Sequence, residues 1–215
     1  MAKCIRRRKQ GVIQLNSRVT SIGISNAGKS MEIVTNDIDL HHFSHVISTI
    51  PLPVLRIVDT SKAKLTPMQY NAIRTLSYGT SVKIGMQFKT AWWTTGKDRD
   101  GNPLNIIGGQ TYTDRPIRSI VYPSFGDIQN GKTTTLIAGY CTNEDARRIT
   151  AMFEKDDTRL ISMVLKELAE IHNVTVEFLR GELIDALAWD WSRNPYTMGN
   201  NIFPFHLYLL VDPFL

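Results

Sequence analysis

The sequence predicts an α+β fold, a mixed α/β class in which helices flank a mixed sheet. Three observations predict it. Short β-prone segments fill the first part of the chain, residues 81–88 alternate apolar and polar side chains, and residues 158–172 carry one apolar stripe at helical spacing. Because 42% of the 215 residues are hydrophobic and 21% are charged, we expect a packed core and not a disordered chain.

The first part of the chain predicts a hairpin or meander, one buried strand and one helix. Asn26, Ala27 and Gly28 form a turn signal between β-prone segments. Thr66 can cap a helix over residues 66–76, and Pro67 suits its first turn. The run at residues 45–50 is apolar and β-branched, which is typical of a strand buried on both faces of a sheet. The predicted strands here are residues 12–15, 19–24, 31–35 and 45–50.

The second part predicts an alternation of strands and helices. Thr142, followed three positions later by Asp145, resembles a weak capping box at the start of a helix over residues 142–153. The stripe over residues 158–172 predicts a second helix that packs against the core. Polar residues at 95–105 predict a loop. The predicted strands are residues 81–88, 119–122, 133–140 and 182–189.

Charge and cysteine usage exclude several classes of function. The formal net charge is +5, and the basic run at residues 6–9 predicts a solvated arm, since no aromatic residue is interleaved to bind nucleic acid. No apolar run is long enough to span a membrane, and no signal-peptide pattern follows the basic start, so we expect a cytoplasmic location. Cys4 and Cys141 have no metal-ligand spacing, and Cys141 is predicted to be a core residue.

Two motifs suggest other chemistries. The string GDIQNGKT at residues 126–133 matches the P-loop pattern, but the threonines that follow favour a strand, whereas a P-loop needs a helix. A P-loop NTPase is therefore retained only as a weak alternative. His41, His42 and His45 invite a metal site, but no further ligand is evidently placed to complete it, so we expect no metal.

Several strings, read in order, resemble the flavin-containing amine oxidase family, and most closely the L-amino-acid oxidases within it. The fourth and fifth of them, taken as a pair, resemble L-amino-acid oxidases more than polyamine or monoamine oxidases. The strings are VIQLNSRVTSI (12–22), HVISTIPLPVL (45–55), AIRTLSYGTSVKIGMQF (72–88), GGQTYTDRPIRSIVYPS (108–124), LIAGYCTNEDA (136–146) and AWDWSRNPYTMG (188–199).

The resemblance implies FAD as cofactor and a role for four residues. Lys83 matches the catalytic lysine that faces the flavin, Val19 and Trp191 match cofactor-binding positions, and Tyr140 matches the tyrosine that holds the substrate carboxylate. The implied reaction converts an L-amino acid, O₂ and water to a 2-oxo acid, ammonia and hydrogen peroxide. The implied partners are therefore a small amine or L-amino acid and O₂, with no nucleic acid, and a homo-oligomer is left open.

The resemblance also implies a domain organisation. We expect a basic arm at residues 1–9, part of the FAD-binding domain at 10–50, the substrate-binding domain at 51–199 and an aberrant apolar tail at 200–215. The dinucleotide fingerprint GxGxxG does not occur in these residues, so we expect an internal fragment that is inactive on its own. A non-catalytic interaction module with the same substrate-domain fold is the main alternative.

Overall fold

The computed structural model describes residues 12–127, 132–153 and 158–200. Over these residues the chain divides into two compact units, the first ending at Ser77 and the second beginning at Tyr78. The predicted basic arm and apolar tail lie outside the described residues, apart from Asn200. No helix in the described ranges is long and apolar enough to cross a membrane. The α+β class is confirmed, with two sheets and flanking helices.

The first unit is built on a three-stranded antiparallel meander. The turn between its first two strands uses Gly28, whose φ of 70° lies in the left-handed region that glycine tolerates. Its small buried core contains Ile22, Ile33 and Val58. The strands are β1 (Val19–Ile24), β2 (Met31–Thr35) and β3 (Asp39–Phe43).

Two segments of this unit were predicted as strands and are not. Residues 12–15 and 45–50 have no strand pairing, and Ile47 is 91% exposed, so burial on both faces is also wrong. β propensity makes a strand only where a second strand supplies backbone partners. The third strand of the meander is instead the polar β3, which composition did not reveal because a tight hairpin, and not an apolar pattern, pairs it with β2.

Two helices follow, α1 (Leu52–Leu55) and α2 (Pro67–Thr75). The predicted start of α2 is confirmed as a capping box. The Gln69 backbone N–H donates to Thr66 Oγ1 over 3.3 Å, and the Thr66 N–H donates to the Gln69 side chain over 2.8 Å. At the other end, Arg56 donates to the carbonyls of Ile73 and Leu76, which satisfies groups the helix leaves unpaired.

The second unit contains a five-stranded sheet in the order β5-β6-β7-β4-β8. Each of its strand pairs is antiparallel, whereas the sequence predicted a mixed sheet. Strands β5 and β6 form an antiparallel hairpin, and β7 and β8 each run antiparallel to β4, one on either side of it. The strands are β4 (Ser81–Phe88), β5 (Gln110–Tyr112), β6 (Ser119–Val121), β7 (Thr135–Thr142) and β8 (Leu183–Asp190).

One face of this sheet forms the core with the helices. The alternation predicted for β4 is confirmed, because Val82, Ile84, Met86 and Phe88 are at most 1% exposed. The predicted apolar stripe of α5 packs against them, and Leu160, Val164, Leu165 and Leu168 are buried. The helices of this unit are α3 (Trp92–Thr95), α4 (Asn143–Thr150), α5 (Thr158–Ile171) and α6 (Val176–Glu182).

Two details of the second unit concern predicted residues. Thr142 precedes α4, but its side chain makes no cap hydrogen bond, and the Asp145 carboxylate is paired with Arg118 and Arg148. The capping box predicted there is therefore wrong.

Cys141 is 1% exposed, as predicted for a core residue, and burial raises the pKa of its thiol to about 12.

A polar chain runs through the core of the second unit. His172, 5% exposed, lies within 2.8 Å of the Leu168 carbonyl through Nδ1 and within 2.5 Å of the Tyr122 hydroxyl through Nε2. Since the carbonyl can only accept, Nδ1 carries the proton and Nε2 accepts from Tyr122. Thr111 contacts the same hydroxyl over 3.1 Å. Desolvation lowers the pKa of His172 and raises that of Tyr122.

Candidate functional site

The face of the five-stranded sheet opposite the core carries a row of three side chains, two of which the sequence singled out. Lys83 on β4 is paired with Tyr140 on β7 and with Trp189 on β8. Directly paired residues of antiparallel strands point to the same face, and Lys83 alternates with the buried Val82 and Ile84. The structure therefore brings Lys83 and Tyr140 together and adds Trp189 to them.

Three contacts hold Tyr140 in place. The Lys83 ammonium lies 5.0 Å from the centroid of its ring, within cation–π range. The Asn200 side-chain amide donates to its hydroxyl over 3.2 Å. Ser119 on β6 donates to its backbone carbonyl over 3.2 Å. Ring, hydroxyl and backbone are thus each fixed by a different element of the second unit.

The two tryptophans form an aromatic corner beside this row. The Trp189 and Trp191 rings meet edge to face, with centroids 6.0 Å apart, and Trp189 is 43% exposed. The Trp191 backbone N–H donates to the Ser81 carbonyl over 3.1 Å, which continues the β8 ladder. Among the described residues, the Trp191 Nε1 and Ser81 Oγ atoms are buried with no hydrogen-bond partner, as are the Trp92 Nε1, Trp93 Nε1 and Ser192 Oγ atoms. Solvent does not reach these atoms, so the corner offers a ligand the exposed ring of Trp189.

A turn over residues 191–200 brings Asn200 to Tyr140. Thr197 Oγ1 and the Gly199 N–H both donate to the Trp191 carbonyl, over 2.8 and 3.1 Å, and the Asn200 N–H donates to Gly79 over 3.0 Å. Gly199 has a φ of 147°, and a Cβ there would lie 2.5 Å from the Tyr78 Cβ. Glycine is thus required for the turn to pass so close to Tyr78, in the segment before β4.

A polar cavity of about 650 Å³ adjoins Tyr140 on the β6 side. Arg118 and Asp145 line it and form an ion pair at 2.5 Å, and the hydrogen bond that Arg118 donates to Asp145 raises the pKa of Arg118. Arg118 has a φ of 59°, an uncommon backbone conformation for a residue with a Cβ. Sequence reasoning missed Arg118 and Asn200. The only signal in the sequence was that both fall at or beside strings that resemble the family.

Val19 lies in the first unit. With Ile22, Ile33 and Val46 it lines an apolar cavity of about 350 Å³ between β1, β2 and the extended segment 45–50. An apolar cavity beside exposed strand backbone can accept a flat aromatic ring. Val19 therefore lies at a cavity of the first unit that could hold a cofactor ring.

The P-loop alternative fails on geometry. Residues 128–131 lie outside the described residues, but the chain that follows the motif enters strand β7 at Thr135, whereas a phosphate site needs a helix N-terminus there. Lys132 is paired with Asp127 at 2.9 Å, and Thr133 donates to the Phe125 carbonyl over 3.3 Å. The side chains that would bind phosphate and magnesium are therefore occupied locally.

The histidine cluster has ordinary partners. His41 Nε2 lies 3.1 Å from Thr35 Oγ1, and His42 Nδ1 lies 4.0 Å from Glu32. Over the described parts of the chain, no group of three or more His, Cys, Asp or Glu residues could hold a metal ion.

Comparison with known proteins defines the class. The family profile described as flavin containing amine oxidoreductase matches residues 1–206. The chain therefore belongs to the flavin-containing amine oxidase family, as the resemblance implied, and that family implies FAD as cofactor. It is 46% identical over 191 residues to L-amino-acid oxidase 4 of Hebeloma cylindrosporum, covering 86% of this chain and 30% of the relative. It is 29% identical to an L-amino-acid oxidase of Siganus canaliculatus, covering 87% and 33%.

Solved structures agree on the fold. A putrescine oxidase bound to putrescine matches with a TM-score of 0.67 at 15% identity, over 90% of this chain and 38% of that one. At this identity the match shows the fold alone. The chain thus spans about a third of the length of the proteins it resembles.

Proposed function

We propose that this chain forms part of an FAD-dependent oxidase that deaminates L-amino acids. The reaction consumes an L-amino acid, O₂ and water and gives a 2-oxo acid, ammonia and hydrogen peroxide. The observation that carries the proposal is the row formed by Tyr140, Lys83 and Trp189 across three adjacent strands. The 46% identity to a protein named L-amino-acid oxidase 4 supports the choice of an amino acid over a simple amine.

The residues present fit a flavin. Trp189 exposes an aromatic surface beside the Trp191 ring, and a flat aromatic heterocycle can pack against such a surface. Trp191 would hold the flavin, and Val19 would hold the adenine in its apolar cavity. On this assignment residues 10–50 belong to the FAD-binding domain and residues 51–199 to the substrate-binding domain.

The chemistry supplied by bound FAD is removal of a hydride from the substrate α-carbon and reduction of O₂ to hydrogen peroxide. The chain's own residues orient and solvate the substrate. The Tyr140 hydroxyl donates a hydrogen bond to the substrate carboxylate from a ring that Lys83 and Asn200 hold in place. The Lys83 ammonium donates to a water molecule, and the lysine and the water together move protons while the amine is oxidised.

A matched pair of compounds tests the proposal. L-Phenylalanine and 2-phenylethylamine share ring and amine and differ in the carboxylate. We would incubate the purified chain with FAD, desalt it, record the visible spectrum, and measure peroxide release with each compound. Retained flavin absorption with peroxide from L-phenylalanine only would support the proposal, and it would show that the chain is active on its own, against the expectation from the sequence.

Two variants locate the activity. Trp191→Leu is expected to weaken flavin retention, and Lys83→Met is expected to leave flavin retention unchanged while slowing peroxide release by about 10²-fold or more, the usual contribution of a proton-handling group. Peroxide from 2-phenylethylamine at the same rate would make the protein an amine oxidase without carboxylate recognition. Loss of all flavin on desalting would make this chain a remnant or a partial subunit that is not an enzyme on its own.

A further inference from the structure

Asn200 makes one hydrogen bond through its backbone and another through its side chain. Its backbone N–H donates to the Gly79 carbonyl, so the segment directly before β4 fixes the main chain at Asn200. Its side-chain amide donates to the Tyr140 hydroxyl over 3.2 Å. Gly199 and Thr197 both bond to the Trp191 carbonyl, which fixes the turn directly before it.

We propose that Asn200 is a positioning residue that directs the phenolic proton of Tyr140 toward the substrate carboxylate. The proposal rests on the carboxylate-binding role proposed above for Tyr140. A phenol has one proton to donate and lone pairs that accept. Because the Asn200 amide donates to the oxygen, the Tyr140 proton is not used on Asn200 and stays available for another acceptor.

The arrangement also strengthens the bond that Tyr140 can make. A hydroxyl that accepts one hydrogen bond is polarised and becomes a better donor in the next. An ionised carboxylate is only an acceptor, so it requires a donor and gains from this polarisation. The Lys83 ammonium, 5.0 Å from the ring centroid, restricts the ring and adds a positive charge to the same side of the sheet.

Variants of Asn200 separate this role from a purely structural one. Asn200→Leu has a similar size and no donor. Asn200→Asp keeps the shape but presents an acceptor, which would take the phenolic proton away from the substrate. The matched control is Asn194→Leu in the same turn, since Asn194 accepts from the Tyr196 N–H over 2.8 Å and has no contact with Tyr140.

The first measurement is the ¹³Cζ resonance of Tyr140 in the chain labelled at tyrosine, identified by its disappearance in Tyr140→Phe. We expect this resonance to move in Asn200→Leu and Asn200→Asp and to stay in Asn194→Leu, with the other tyrosine signals unchanged. An unmoved Tyr140 resonance in both Asn200 variants would overturn the proposal, since the hydrogen bond would then not exist in solution.

The second measurement is binding of L-phenylalanine and 2-phenylethylamine by ligand-observed NMR. Loss of one hydrogen bond predicts a fall of about fivefold in the L-phenylalanine affinity of Asn200→Leu, with a larger fall in Asn200→Asp and no change for 2-phenylethylamine. In the Tyr140→Phe background, Asn200→Leu is expected to add nothing, because the group through which it acts is gone.

The outcomes are distinguishable from those of the proposed function. If Tyr140→Phe weakens L-phenylalanine binding and Asn200→Leu does not, the role of Asn200 is wrong and that of Tyr140 stands. If Tyr140→Phe binds L-phenylalanine as the unaltered chain does, the carboxylate role of Tyr140 fails and the role of Asn200 fails with it. Additive losses in the double variant would show that Asn200 acts on the fold and not through Tyr140.

Discussion

Replacing His172 with glutamine should remove part of the acid sensitivity of the second unit. His172 is 5% exposed, donates from Nδ1 to Leu168 over 2.8 Å and accepts at Nε2 from Tyr122 over 2.5 Å. Protonation would place a donor at Nε2 facing the Tyr122 hydroxyl and would charge a desolvated ring. Both effects oppose the charged form, and desolvation accordingly lowers the pKa of His172 in the fold.

The sign and size of the effect follow from linkage. Below the ordinary histidine pKa of 6.5 the unfolded chain binds a proton that the folded unit does not, so stability falls as the pH falls through that value and continues to fall until the lower folded pKa is reached. One proton accounts for at most about 1.4 kcal/mol of unfolding free energy per pH unit. His172→Gln has no proton to gain, so its stability should depend less on pH by up to this amount between pH 6.5 and 5.5.

The assay is urea unfolding followed by tryptophan fluorescence at several pH values. All four tryptophans, Trp92, Trp93, Trp189 and Trp191, belong to the second unit, so the signal reports that unit alone. The matched control is His45→Gln, an exposed histidine of the first unit. If the pH dependence of His172→Gln superimposes on that of the unaltered chain, His172 is not the group that titrates and the reasoning is refuted.

Three further outcomes are expected. Cys141 should resist a thiol reagent at pH 8 in the native Cys4→Ser chain and react in urea, because its pKa of about 12 and its burial suppress the thiolate; rapid native labelling would contradict the buried position. Gly199→Ala should lower the melting temperature and shift the Tyr140 resonance, because its Cβ would lie 2.5 Å from that of Tyr78; a variant with unchanged values would mean that the turn relaxes without cost. Thr66→Ala should cost about 1 kcal/mol of stability in the first unit, measured by circular dichroism, and Thr66→Ser should recover most of it.

The strands and helices that formed as predicted share one property, a strong local signal. The β4 alternation and the α5 stripe each specify a buried face directly, and Thr66 with Pro67 specifies a helix start. The misses lacked such a signal or had a misleading one. Residues 45–50 are strongly β-prone but have no strand partner, whereas the polar β3 pairs because a hairpin places it beside β2.

For the site, the alternation of β4 placed Lys83 on the face away from the core, and resemblance to a family singled out Tyr140, Val19 and Trp191. The roles of these residues stay predictions until the experiments above are made. Family membership itself is confirmed by a match over residues 1–206. Family membership could be predicted from the sequence alone, because each string that carries the resemblance is an unbroken stretch of residues and the strings follow one another in order.

The sequence by itself determined which segments carry an apolar face and which family the chain belongs to. Only the tertiary structure decided that Lys83 meets Tyr140 and Trp189, because their pairing joins strands far apart in sequence and depends on register. It also decided that Asn200, sixty positions after Tyr140, donates to its hydroxyl. A hydrogen bond between residues so far apart leaves no periodic trace in the sequence, since it depends on where a turn ends and not on what any segment prefers to form.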